Sequence, residues 1–183
     1  RMKGSSTAAQ SPNNVGGRRA HPPKVDKDLG KKINRKELML AKMSALSATG
    51  RVELVKARGH QFKDELTVPV VVKDDIEAVK TTKEAVAMLE SIGVYDDVAR
   101  AAEGKRIRAG RGKMRSRRYR MPRSLLIVLS SECDGQRSLR NLPGVEVATP
   151  AKLNASMLAP GGDPGRLMIV SEKALDTIGG WAR

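Results

Sequence analysis

The sequence predicts an α/β fold in which a mostly parallel sheet is flanked by helices and preceded by an extended basic arm. Three observations carry this. The runs "TVPVVV" (67–72), "LLIVL" (125–129), "VEVA" (145–148) and "LMIV" (167–170) are short and apolar. "LLIVL" is continuous in its apolarity, as strands buried on both faces are, and "VEVA" and "LMIV" behave similarly. Helix-period segments alternate with these runs, and such alternation implies parallel strands with crossovers on the sheet's faces. The first 28 residues show neither pattern. A chain of 183 residues suffices for one domain with a real core plus extra segments.

Each element has its own justification. "GSSTAAQSPNNVGG" (4–17) offers too little apolar surface to offset the entropy of ordering, and "HPP" (21–23) holds the backbone extended. Residues 1–28 are therefore expected to form an arm, and residues 29–183 a globular α/β domain. In "NRKELMLAKMSALSATG", Asn34 and Glu37 stand at capping-box spacing ahead of a helix over 35–48. Leu38, Ala41, Ala45 and Ala48 form its stripe beside Met39, Met43 and Leu46, and Gly50 stops it. Residues 52–58 continue the helical region after a break. Pro69 sits early in the first strand, where its missing N–H matters least. Thr81 and Glu84 form a second capping box for a helix that ends at Gly93, with Val86, Leu89 and Ile92 at helical intervals. Short helices are expected near 135–141 and 151–157, and Ser171 is placed to cap a last one over 172–179. The three later strands span only residues 125–170, so their crossovers are tight.

The charge is unevenly placed. The chain has 35 basic and 20 acidic residues, a net charge of +15, and a pI near 10.4. Residues 1–24 hold Arg1, Lys3, Arg18, Arg19 and Lys24 with no acid. Residues 104–123 hold Lys105, Arg106, Arg108, Arg111, Lys113, Arg115, Arg117, Arg118, Arg120 and Arg123, again with no acid. These two tracts account for the whole excess, so an otherwise neutral domain carries two cationic attachments. Like charge on this scale opposes compaction unless a polyanion neutralises it, which points to nucleic acid. With four aromatic residues in the chain, of which only Tyr119 lies in a basic tract, base stacking is a minor resource. Binding should run through phosphates and shape, gripped by the planar fork of arginine. Tyr119 could stack, donate its hydroxyl or pack on the neighbouring strand, and His21, in the arm, could touch RNA or stand exposed.

Other chemistries find little support. "GRGK" (110–113) lacks the glycine spacing and the hydroxyl residue of a phosphate loop, and no G-x-G-x-x-G follows a strand. His21 and His60 lie far apart, and Cys133, the only cysteine, has no partner at metal-ligand spacing. Asp74 and Asp75 are read as a cap for the next helix rather than an acid pair. No cofactor, metal, catalytic residue or small-molecule substrate is expected. Nor is a membrane partner, since no apolar run approaches the roughly 18 residues a span needs and no signal-peptide core is present. One cysteine fits a reducing compartment, and a cytoplasmic protein is expected. Arg1 and the loop-like opening suggest a piece of a longer polypeptide.

Four stretches together resemble a known family: "VGGRRAHPPK" (15–24), "GKRIRAGRGKMRSRRYR" (104–120) running into "SLLIVLS", "NLPGVEVA" (141–148), and "LAPGGDPGRLMIVSEKAL" (158–175). They are similar to the family of large-subunit ribosomal protein four, in its archaeal and eukaryotic form, over nearly the whole chain from residue 15. The resemblance implies a structural rRNA-binding protein with a Rossmann-like domain and a long loop reaching toward the peptide exit tunnel. Its partners would be large-subunit rRNA and neighbouring large-subunit proteins. Gly16 to Lys24 would be the loop's return to the body, with Arg18, Arg19, His21 and Lys24 on RNA, and Lys105 to Arg123 would be laid on rRNA. The family's strand and helices ahead of the loop are lacking, so the sheet is expected to be incomplete; the ending at "GGWAR" fits the archaeal type. The rival readings are a regulatory RNA- or DNA-binding factor and an RNA-modifying enzyme, the latter requiring a cofactor pocket.

Overall fold

The structure, a computed structural model, describes residues 11–63 and 65–182. Arg1, Lys3 and most of "GSSTAAQSPNN" lie outside the described residues. Residues 11–33 contain neither helix nor strand and are almost wholly exposed. Their order is local: the Gly17 N–H donates to the Asn14 carbonyl at 3.0 Å, and the Gly30 N–H to Asp28 Oδ1 at 2.8 Å.

The body, residues 34–183, forms a separate compact unit. Its four-stranded sheet has the order β1 (Val70–Val72), β6 (Met168–Ser171), β4 (Leu126–Val128), β5 (Glu146–Ala148), and every pairing is parallel. Alternate residues of the apolar runs enter opposite cores, which explains why those runs show no polar alternation. Leu125, Ile127, Leu129, Leu167 and Ile169 pack with α3 (Thr82–Ile92), α4 (Tyr95–Glu103) and α5 (Gly135–Arg140) through Leu89, Val98 and Leu139. Leu126, Val128, Met168 and Val170 pack with α1 (Arg35–Thr49), α6 (Ala155–Leu158) and α7 (Glu172–Gly179) through Ala45, Leu158, Ala174 and Ile178. The sheet is thus sandwiched between two helical layers. Helix α2 (Val52–Ala57) adds Val55 to the first core.

Several local expectations need correction. The Thr81 capping box forms with both of its bonds, and Gly93 ends α3 in the left-handed region at φ 87°. Asn34, by contrast, occupies the cap position of α1 without a side-chain bond. The stripe of α1 is buried only at its C-terminal end, at Ala45 and Ala48, while Leu38 is half exposed and Ala41 lies at the surface. Ser171 does not cap α7 with its hydroxyl. Asp74 does so from across the sheet, accepting the Lys173 N–H at 3.3 Å and pairing with its ammonium at 3.1 Å, so it serves the last helix and not the next. Helix α4 has no counterpart in the sequence-based expectation. The Ser171 hydroxyl donates instead to Glu77 Oε1 at 3.1 Å, and Glu77 also accepts from the Ser130 N–H at 2.7 Å and hydroxyl at 2.9 Å. Open α/β sheets hold ligands beyond the carboxyl ends of their strands. Here one carboxylate of the chain ties the ends of β4 and β6 together at that edge.

Candidate nucleic-acid interface

The second basic tract folds into a hairpin between α4 and β4. Its arms are β2 (Arg106–Ile107) and β3 (Tyr119–Arg120), paired antiparallel so that Arg106 stands opposite Arg120 and Ile107 opposite Tyr119. The ladder continues through the Arg108 N–H to the Arg118 carbonyl at 2.7 Å. A short 3-10 turn over Arg111–Met114 makes the tip, where the Gly112 carbonyl accepts from the N–H groups of both Arg115 and Arg117. Gly110 and Ser116 bracket the tip at φ 76° and 59°; the serine is the only described non-glycine residue in the left-handed region.

The base of the hairpin is clamped by small residues and buried polar bonds. A Cβ on Gly104 would meet the Pro122 ring at 2.5 Å, so glycine lets the two limbs close. Gly144, at φ 72°, accepts the Ser124 N–H at 2.9 Å, and a Cβ there would strike the Pro122 carbonyl at 2.7 Å. Beneath lies Asp97, fully buried. Its carboxylate accepts from Ser124 Oγ at 2.8 Å, Arg100 Nε at 2.9 Å, His60 Nδ1 at 3.0 Å and the Gln61 N–H at 3.1 Å. Burial pushes the Asp97 pKa up, but the hydrogen bond and attraction of His60, with hydrogen bonds from Arg100 and Ser124, outweigh it and hold the carboxyl below its usual value. Arg166, fully buried, donates to the carbonyls of Ser124 (3.0 Å), Leu125 (3.2 Å) and Met157 (2.8 Å) and pairs with Glu146. The start of β4 is thereby fixed, and with it the direction from which the hairpin leaves the body.

All ten cations of the tract are exposed. Arg123 pairs with Glu146; among the described residues, Lys105, Arg106, Arg108, Arg111, Lys113, Arg115, Arg117, Arg118 and Arg120 form no ion pair. Arg106 directly opposite Arg120 is an unfavourable cross-strand pair in isolation. Tyr119 is half exposed, with the Lys105 ammonium 4.8 Å and the Arg118 guanidinium 5.8 Å from its ring centre. Arg18, Arg19, His21 and Lys24 stand exposed in the separate 11–33 segment.

The expected RNA-facing residues thus fall into one folded hairpin and one segment without helix or strand. Sequence reasoning passed over Arg58 and Arg100, which line a cleft at the hairpin's base together with Arg120 and Arg123. The only signal for Arg100 was its i, i+3 spacing from Asp97 on a helix that the apolar pattern did not reveal. Among the described residues no cluster of three or more His, Cys, Asp or Glu side chains could hold a metal ion, and no helix is long and apolar enough to cross a membrane.

The family model described as "Ribosomal protein L4/L1 family" matches residues 3–181. The chain is 47% identical to the large ribosomal subunit protein uL4 of Thermoplasma acidophilum, over 97% of this chain and 69% of the relative. The protein of the same name from Methanocaldococcus jannaschii is 48% identical over 93% of this chain and 68% of its own length. That from Aeropyrum pernix is 50% identical over 97% and 66%. The match takes in both the hairpin and the parallel sheet that anchors it, and the chain belongs to the ribosomal protein L4/L1 family.

Proposed function

We propose that this chain is a structural, non-catalytic component of the large ribosomal subunit in the cytoplasm, binding large-subunit rRNA through the β2–β3 hairpin. Neighbouring large-subunit proteins complete its surroundings. Residues 1–28 serve as a second RNA-binding segment, with Arg18, Arg19, His21 and Lys24 on RNA, in a loop directed toward the peptide exit tunnel.

The observation that carries this is the hairpin's uncompensated charge. A two-stranded ribbon is at best marginally stable alone. This one sets Arg106 against Arg120 and includes no acid, so its geometry makes sense beside a polyanion that supplies the missing counter-charge. Its exposed guanidiniums can grip phosphates by two bonds each, which suits recognition of RNA by backbone and shape.

Filter binding to transcribed archaeal large-subunit rRNA tests the proposal. If roughly six phosphates are neutralised, log affinity falls against log salt with a slope of about −4 to −5. The combined Arg115→Ala, Arg117→Ala, Arg118→Ala variant flattens that slope by about 2 to 3. An unchanged slope would move the contact surface elsewhere.

A further inference from the structure

The cleft at the hairpin's base has a volume of about 710 Å³. Its walls are α2, α4, the second limb of the hairpin and the 160–164 loop, and it brings together arginines from three parts of the chain: Arg58, Arg100, and Arg120 with Arg123. Asp163 is the acid among its lining residues.

Two of these guanidiniums are held in place by the fold. Arg58 donates to the carbonyls of Pro160 and Asp163, fastening the 160–164 loop. Arg100 is held by Asp97 and donates through Nη2 to the Arg123 carbonyl at 3.1 Å. Each uses only part of its five-donor fork, leaving N–H groups for a ligand. Burial lowers the Arg58 pKa; the nearby Asp163 opposes the shift and Arg100 adds to it, so the cations work against one another. His60 lines the same cleft with its side chain almost fully buried, and its Nδ1 is taken by Asp97. Its Nε2 is the buried side-chain N or O atom that has no hydrogen-bond partner among the described residues.

We propose that this cleft is a discrete anion site that takes one backbone phosphate of RNA, held by the guanidiniums of Arg58, Arg100 and Arg120. This rests on the RNA-binding reading of the hairpin and adds to it a fixed contact beside the body. Hairpin arginines are carried on a two-stranded ribbon, whereas Arg58 and Arg100 are positioned by hydrogen bonds to Pro160, Asp163, Asp97 and Arg123. A phosphate seated between them would therefore fix the register of the RNA against the domain, a role distinct from adding charge.

Gly161 offers a test at the cleft wall. It has φ 82°, and a Cβ there meets nothing within 4 Å. Asn and Asp both tolerate that backbone region, so Gly161→Asn and Gly161→Asp differ essentially by one carboxylate in the cleft. In filter binding of the full chain to transcribed archaeal large-subunit rRNA, G161D should bind roughly tenfold more weakly than G161N, as one like charge beside a phosphate predicts. Its salt slope should be shallower by about 0.7 to 0.9, one phosphate's worth. Should either glycine variant fail to fold by circular dichroism, Arg120→Gln on the cleft wall is compared with Arg111→Gln at the hairpin tip; the proposal requires the larger loss from R120Q. If G161D equals G161N, or R120Q equals R111Q, while the Arg115, Arg117, Arg118 variant still flattens the slope, the cleft site is refuted and the hairpin stands. If that triple variant also leaves the slope unchanged, the RNA-binding role of the hairpin falls and the cleft site falls with it.

Discussion

Arg166 shows how a buried residue can fix the direction in which the hairpin leaves the body. It is buried completely, satisfies three backbone carbonyls around β4 and shares Glu146 with Arg123. Replacing it by Met would leave those carbonyls without their donor, and Arg166→Met should lower unfolding stability in urea by about 3 kcal/mol, toward the lower end for a broken buried pair because Glu146 keeps Arg123. Asp97 gives a second prediction, one with a pH dependence. Its carboxyl sits below the ordinary value in the folded state. The stability it contributes is therefore fully present above the unfolded carboxylate pKa near 3.9 and is lost as pH falls through the lower folded value. Asp97→Asn should cost about 2 to 3 kcal/mol near neutrality. The gap from wild type, read from urea midpoints, should hold constant above about pH 5 and narrow below about pH 4; a gap that widens in acid would contradict the assignment. Neither residue was legible in the sequence. "GDPGRLMIV" does not distinguish a buried arginine from a surface one, because two of the three carbonyls that make its burial tolerable, those of Ser124 and Leu125, lie 42 and 41 residues away.

At the scale of elements, the same sequence signature succeeded once and failed once. Thr81 and Glu84 close a capping box, whereas Asn34 and Glu37, at the same spacing, do not. Thr81→Ala should accordingly cost about 1 kcal/mol in a thermal or urea melt, and Asn34→Ala only a few tenths. The strands were legible because burial on both faces leaves a plain apolar run; β4 lies within the run expected, and β6 passes the end of its run by one residue, Ser171. Helix α4 was not, since its inward positions run Val94, Asp97, Val98, Ala101 and the buried carboxylate interrupts the apolar period. Burial of the N-terminal half of α1 was over-read for the opposite reason, as apolar residues at helical spacing do not reveal whether anything covers them. The N-terminal segment makes its own prediction. Residues 11–33 hold few internal hydrogen bonds and almost no buried surface, so protease added to the free protein should cut after Arg18 or Arg19 well before it cuts within α3. Equal resistance would mean that the segment is packed on the body.

For the whole molecule, the charge map was the most informative part of the sequence. It separated a balanced body from two cationic tracts before any element was assigned, and one of those tracts is the hairpin. The map could not show that the hairpin's base forms a cleft, because Arg58 and Arg100 belong to the balanced remainder and reach the site only through the fold. On the proposed function, the body supplies the mount and the hairpin supplies charge for a polyanion to neutralise. The most direct test is to sediment a lysate of cells expressing the native protein through a sucrose gradient, with and without a moderate salt wash. The account predicts that the protein co-migrates with large subunits in stoichiometric amount and stays with them after the wash. Recovery chiefly as free protein at the top of the gradient would contradict it.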